Sequence, residues 1–322
     1  MYNFSENRIK CGKCNTEFDL NKNAVCPLCG FGIGRKTADT RLNKKLQIEP
    51  ESINYLAIPK NLELKPGQVK IDDETKVVGS WGMFNSFFPG KAVLRILANM
   101  LDKEKTKTIT LDTLTKKTSE ETQLYNLSKL RGFPNNPNNN NSIGRLVYHF
   151  IRTFTDMGFF TVKPKEETKN NVWDEPWSNI EITLTEEGLE FAKLRNKIFD
   201  NGDFSQASIE FQILTKDEKQ WLTDYLKKID ESGYKEYSIL KNVFDFIKQG
   251  HNGKDELWNW FETNPDFINY LKQWSRKTDN PEAFEKQIKN LSITFAGGKL
   301  ALLRELGVIS NKRNDYTILG EI

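Results

Sequence analysis

The stretch from Ile143 to Leu194 constrains the fold most, because its hydrophobic pattern changes from a helical period to a strand period over a short distance. Apolar residues first recur at three- and four-residue spacing, which predicts one buried face on a helix of about four turns. Gly158 then ends the helix, and residues 159–162 and 180–184 have the composition of two paired strands. The sequence therefore predicts a helix followed by a β-hairpin. The apolar face consists of Ile143, Leu146, Val147, Phe150, Ile151, Phe154 and Met157.

The opposite face of this helix is polar and basic. It carries Arg145, Tyr148, His149 and Arg152 at spacings of three or four residues, and these side chains suit phosphates and base edges. The segment resembles the recognition helix and wing of the winged-helix family, and the run ITLTEEGLEFAKL resembles the last wing strand and closing helix of that family. The resemblance implies that these four residues contact double-stranded DNA.

The residues before this helix fit the same family order. We expect an amphipathic helix from Ala92 to Leu101, a short strand at 109–111 and a second helix beginning near Thr110. Helix, short strand, second helix, recognition helix and hairpin is the winged-helix order. The run RGFPNNPNNNNS at 131–142 predicts a loop before the recognition helix that is longer than the family usually has.

The wing loop is also long, and its charge is mixed. Lys163 and Lys165 are candidate phosphate contacts, whereas the acidic residues beside them make the electrostatics of the tip equivocal. Trp173 and Trp177 lie in the same loop. Two interpretations are open for these tryptophans: they stack on a base or dock on a partner, or they fold back onto their own domain.

All four cysteines fall in one window near the N-terminus, as Cys11-Gly-Lys-Cys14 and Cys26-Pro-Leu-Cys29. Two C-x-x-C pairs present four thiolates to one tetrahedral ion, so this spacing predicts a Zn²⁺ site. The window resembles a zinc ribbon, and rubredoxin shares its CPxCG half, which leaves iron as the alternative metal. Because four sulfur ligands fill the coordination shell, we expect a structural and not a catalytic zinc.

A second unit is predicted after residue 200. Thr215 is a suitable N-cap for the first of several amphipathic helices. The earlier pattern then recurs, because a leucine-lined helix ends at Gly307 and a short hairpin follows it. This resembles a second winged helix with a shorter wing and a helical insertion, and its mixed charge permits a protein partner. Its candidate DNA contacts are Lys299, Lys312 and Arg313.

The composition permits several domains and a nucleic-acid partner. With 322 residues, the chain is long enough for two or three domains. The net charge of +3 and the pI of about 8.4 are mildly basic, so charge alone leaves the partner open. No apolar run approaches the roughly 20 residues that cross a bilayer, and the N-terminus lacks the apolar core of a signal peptide. We therefore expect a cytoplasmic protein.

These observations predict an α+β, multidomain fold. The expected segments are a zinc ribbon at 1–35, short strands or a linker at 36–80, a first winged-helix domain at 81–200 and a second, helix-rich one at 201–322. The expected function is DNA binding, as a transcription regulator or as a subunit of a larger complex. The alternative is an assembly subunit that does not bind DNA and whose winged helices dock protein partners, in transcription machinery or a DNA-defence complex, or a second copy. An enzyme is not expected, because neither a Gly-rich phosphate loop nor a nucleophile motif is present.

Overall fold

A computed structural model of the chain describes residues 8–10, 17–19, 58–59, 62–69, 86–124, 127, 140–201, 214–272, 280–312 and 315–322. The chain divides into two compact units, residues 1–53 and 54–322. The described elements are mainly helices with small antiparallel sheets, so the α+β class is confirmed.

In the N-terminal unit, the described residues form one antiparallel strand pair. Strand β1 (Arg8–Lys10) pairs with β2 (Glu17–Asp19), with Lys10 opposite Glu17. The predicted metal ligands Cys11, Cys14, Cys26 and Cys29 lie outside the described residues.

Helix α1 (Phe88–Glu104) lies at the centre of the larger unit, and every residue from Phe88 to Ala98 is buried. A helix that is buried on all sides needs a partner for each polar side chain. Lys91 and Arg95 are the charged residues in this buried run, and both have acidic partners. The helix ends at Lys105, which adopts a left-handed conformation with φ of 50°.

A three-stranded sheet and four further helices follow α1 in this part of the chain. Strand β5 is central and pairs antiparallel with both β3 and β4, so Ile182 lies between Ile109 and Val162. The predicted long helix is confirmed, and Gly158 follows it with a φ of 82° that favours glycine. The elements of this part are β3 (Ile109–Thr110), α2 (Leu111–Leu124), α3 (Asn140–Asp156), β4 (Phe160–Pro164), β5 (Ile180–Leu184), α4 (Glu186–Lys193) and α5 (Lys197–Asn201).

The apolar face of α3 packs inward as its spacing predicts. Phe150 and Phe154 lie against Gly90 of α1, where an added Cβ would approach the Phe154 ring to 2.5 Å. Only a glycine lets the two helices pack this closely. Burial of each phenylalanine side chain stabilises the fold by about 1.5–3 kcal/mol.

The C-terminal part is helical until its last hairpin. Thr215 caps the first helix in a capping box with Glu218, as predicted for the N-cap. The terminal hairpin repeats the earlier arrangement, because Gly253 forms an antiparallel bridge with Asp315 much as β3 pairs with β5. The elements are α6 (Lys216–Glu231), α7 (Glu236–Lys248), α8 (Lys254–Thr263), α9 (Pro265–Lys272), α10 (Pro281–Glu305), β6 (Ile309–Lys312) and β7 (Asp315–Ile318).

The structure corrects the prediction that Lys299 contacts DNA. Its side chain is 1% exposed, and its ammonium donates to both carboxylate oxygens of Glu236 at 2.9 and 2.7 Å. All residues from Gly298 to Leu303 are buried, so this half of α10 is enclosed on all sides. Because its ammonium is buried and paired with Glu236, Lys299 cannot contact a phosphate. Helical spacing alone does not reveal which face of a helix a neighbour will cover.

The segments predicted as two winged-helix domains share one hydrophobic core. Lys91 of α1 donates to Glu218 of α6 inside this core, and Asn196 donates to the second oxygen of Glu218 at 2.7 Å. The Tyr225 hydroxyl of α6 donates to the carbonyl of Met157, at the end of α3. Residues 54–322 therefore form a single compact unit.

Candidate nucleic-acid interface

The outer face of α3 carries three nitrogen-rich side chains on one line. Arg145 is exposed, and His149 and Arg152 are partly exposed. Their spacings of four and three residues place them above one another on the helix surface. We call Arg145, His149 and Arg152 the cationic ridge.

The two arginines act on the histidine between them. Burial lowers the pKa of His149 below its usual value of 6.5, and the positive charges of Arg145 and Arg152 lower it further. His149 is therefore neutral at pH 7, and a neutral imidazole can donate one hydrogen bond and accept another. The ridge thus combines two permanent cations with one neutral polar group.

Tyr148, the fourth predicted DNA contact on α3, is partly exposed and packs against the wing loop. Its ring stacks on Trp177 with centroids 6.0 Å apart and meets Trp173 edge to face at 5.8 Å. The aromatic flank of α3, formed by Tyr148, Trp173 and Trp177, lies beside the cationic ridge. The two tryptophans therefore fold back onto their own domain, and both remain partly exposed.

Gly144 makes room for this docking. A Cβ added at Gly144 would lie 2.7 Å from the Trp177 ring, closer than a real Cβ is found. Thr115 of α2 lies next to the same position, with its methyl carbon 3.5 Å from that added Cβ. Trp177 therefore sits in a notch that exists because residue 144 has no side chain. This glycine inside a predicted helix was the available sequence signal for the notch, and pattern analysis missed it.

The wing tip is held together by its own hydrogen bonds. The Glu175 carboxylate accepts from the Thr168 hydroxyl at 2.6 Å and from the side-chain amides of Asn179 at 2.7 Å and Asn170 at 3.1 Å. These hydrogen bonds lower the pKa of Glu175, and the hydrogen bond from Thr168 has the largest effect. Two short 3₁₀ turns, Val172–Asp174 and Trp177–Asn179, present the tryptophans to α3. The tip is thus a preorganised structure.

Basic side chains of the wing contribute less than the sequence suggested. Lys163 is exposed but pairs with Glu181 on the adjacent strand at 3.1 Å, which offsets its charge. Lys165 is exposed. Arg152 connects the ridge to the wing, because its guanidinium carbon lies 5.9 Å from the centre of the Trp173 ring.

Two predicted contacts remain, Lys312 and Arg313. Lys312 is exposed at the end of β6, in the C-terminal hairpin, and Arg313 lies outside the described residues. Among the described residues, no group of His, Cys, Asp and Glu side chains is arranged to hold a metal ion. Within the same residues, no helix is both long and apolar enough to span a membrane.

Comparison with known proteins adds no relative. The chain matches no protein-family model, no curated protein and no solved structure.

Proposed function

We propose that residues 86–201 form a winged-helix unit that binds DNA through the cationic ridge of α3. The element order of helix, strand, two helices and two strands supports this assignment, as does the sheet order β3-β5-β4. In this arrangement α3 takes the position of the recognition helix, and β4 and β5 form the wing.

The observation that carries the proposal is the cationic ridge itself. Arg145 is exposed and Arg152 is partly exposed on the outer face of a helix whose inner face is buried, so both guanidiniums reach the surface of the domain. Arginine guanidiniums bind phosphates and guanine edges in pairs of hydrogen bonds. His149 lies between them; because its Nδ1 is buried, only its Nε2 could meet a base edge, as a donor or as an acceptor.

The N-terminal unit is proposed to be a zinc ribbon that assists binding. Cys11 and Cys14 fall in the connection between paired strands β1 and β2, which is where a ribbon carries its first pair of ligands. The second pair, Cys26 and Cys29, follows β2 in the sequence. Four thiolates would make this zinc structural.

A protein-docking role is the second candidate, and the C-terminal part favours it. Burial of Lys299 removes the main predicted DNA contact of α10. The exposed side of the same helix combines charges of both signs, from Glu282, Glu285, Lys286 and Lys289, with Ile293, which is 37% exposed. A helix surface of this composition suits a protein partner better than a phosphate backbone.

Fluorescence anisotropy with labelled DNA, in single-stranded and duplex form, tests the proposal. Two to three phosphate contacts predict that affinity falls roughly ten- to fortyfold between about 50 and 200 mM salt, because bound counterions are released. Absence of binding to both forms at low salt would reject DNA binding and favour the docking role.

A further inference from the structure

We propose that the cationic ridge and the docked wing bind a single strand of nucleic acid, and that the wing keeps α3 out of the major groove of a duplex. This inference rests on the proposed function and names the ligand class of the same site. The sequence alone predicts double-stranded DNA, because spacing shows the basic face and not what lies beside it.

The surface formed by α3 and the docked wing is too wide for the major groove of a duplex. A bare helix is about 10–12 Å across with its side chains, and the major groove is roughly 12 Å wide, so a recognition helix already fills the groove. One flank of α3 is thickened by Trp177, which sits on Gly144, and by Trp173, which meets Tyr148. Helix and wing together are wider than the groove.

The wing is docked by contacts that a duplex would have to break. Trp177 fills the notch at Gly144 and stacks on Tyr148. The hydrogen bonds to Glu175 hold the turns that present both tryptophans. Displacing the wing would expose these rings to water and lose the stack, which makes displacement unfavourable.

The chemistry of the surface suits a single strand. Proteins that bind single strands combine cations that follow the backbone with aromatic rings on which bases stack. Arg145 and Arg152 supply the cations, and the Arg152 guanidinium lies over one face of the partly exposed Trp173 ring, which leaves the other face for a base. A flexible strand can follow the ridge and turn a base onto Trp173 without entering a groove. Because DNA and RNA strands share this phosphate and base chemistry, both are included in the test.

The first measurement compares labelled oligomers of about 15 nucleotides, a length within the range of single-strand binding sites. The probes are oligo-dT, oligo-U and a mixed-sequence duplex, each in the same buffer with the full chain. We expect one of the single strands to bind at least tenfold more tightly than the duplex. Trp173→Ala should weaken single-strand binding by about 5- to 150-fold, which corresponds to the loss of one stacked base.

The second measurement tests the wing with a matched pair of glycine substitutions. Gly144→Ala places a methyl group where Trp177 docks, whereas Gly297→Ala places one on α10 where nothing lies within 4 Å. We expect Gly144→Ala to shift tryptophan emission to longer wavelength and to reduce the preference for single strands. Gly297→Ala should leave both properties unchanged. Trp177→Ala removes the docked ring without altering α3. This variant replaces Gly144→Ala in the same measurements if Gly144→Ala does not fold.

The outcomes separate this inference from the proposed function. If the parent protein binds no probe, DNA binding itself is rejected. If the parent prefers the duplex, or if Gly144→Ala releases the wing and leaves the preference unchanged, the inference is overturned and the proposed function stands. The comparison of oligo-dT with oligo-U then identifies whether DNA or RNA is the preferred strand.

Discussion

The Glu305 carboxylate, at the C-terminal end of α10, accepts a hydrogen bond of 2.6 Å from the backbone N–H of Phe87. It also accepts from the Ser86 hydroxyl at 2.7 Å and from the N–H of Phe88 at 3.0 Å. The first N–H groups of a helix have no partner within the helix, so a distant residue here satisfies donors at the start of α1. The contact joins the start of α1 to the end of α10.

This contact predicts a dependence of stability on pH. Burial raises the pKa of Glu305 from 4.5 to about 7, against the opposing effect of the hydrogen bonds from Ser86, Phe87 and Phe88. Because the folded-state pKa is the higher one, the folded state binds more protons between these values. The contribution of Glu305 to the stability of the fold is therefore fully present below a pH of about 4.5 and is lost as the pH rises to about 7.

Chemical denaturation of the parent and of Glu305→Gln, measured from about pH 4.5 to about pH 8, tests this dependence. The stability of the parent relative to the variant should fall as pH rises to about 7 and should then stay constant. A pH-independent difference, or a change of opposite sign, would show that Glu305 does not titrate in this range.

The buried pair of Lys299 and Glu236 predicts a large effect of a single substitution. Lys299→Ala leaves the Glu236 carboxylate buried without its cation, which should cost about 3–5 kcal/mol of unfolding free energy. Adding Glu236→Gln should recover part of this loss. Lys286→Ala, at an exposed position of the same helix, should change stability by less than about 0.5 kcal/mol in the same denaturation experiment. Equal effects of the two lysine substitutions would contradict the assigned burial.

The two faces of α3 predict separable effects on folding and on binding. Arg145→Ala should weaken nucleic-acid binding by about 1–3 kcal/mol if its guanidinium contacts a base, and by less for a phosphate contact. Its melting temperature should equal that of the parent. Arg152→Ala should also weaken binding, with an added stability loss of about 0.5–1 kcal/mol from its contact with Trp173.

Phe150→Ala is the comparison on the buried face. It should cost about 3–5 kcal/mol of stability, because the lost ring leaves a cavity in the core. If both arginine variants bind nucleic acid as the parent does, the contact surface lies elsewhere on the chain.

The lowered pKa of His149 predicts that nucleic-acid binding strengthens as the pH falls. Burial and the charges of Arg145 and Arg152 lower its pKa in the unbound protein. Phosphates placed on the arginines would offset those charges and raise the pKa of His149, so binding should take up a proton. Affinity should therefore increase as pH falls from about 7.5 to about 5.5. His149→Gln should remove this increase, and an unchanged pH profile in that variant would assign the effect to another group.

The four cysteines predict one equivalent of zinc per chain. Elemental analysis of purified protein should detect zinc at this ratio, and iron at the same ratio would identify a rubredoxin-like site instead. Cys26→Ser should release the metal and unfold the N-terminal unit. Because residues 54–322 form a separate compact unit, the main unfolding transition should be retained.

The sequence by itself determined the local elements of the larger unit. The three- and four-residue spacing of apolar residues located α3, and the alternation from Ile180 to Leu184 located β5. Gly158 and Gly307 marked the helix ends, where φ values of 82° and 77° favour glycine. These features depend on short-range periodicity and backbone sterics, which a sequence records directly.

The tertiary structure alone decided which polar side chains remain available. Lys299 and Arg145 both lie on predicted helices, yet one is buried against Glu236 and the other is exposed. Likewise, Tyr148 is only partly exposed because Trp177, which is distant in the sequence, docks beside it. Such contacts join residues that are distant in sequence, and burial depends on the shape of the neighbouring surface. The periodicity of a sequence segment does not record that shape. The candidate site therefore depends on how the wing packs against α3, which only the tertiary structure shows.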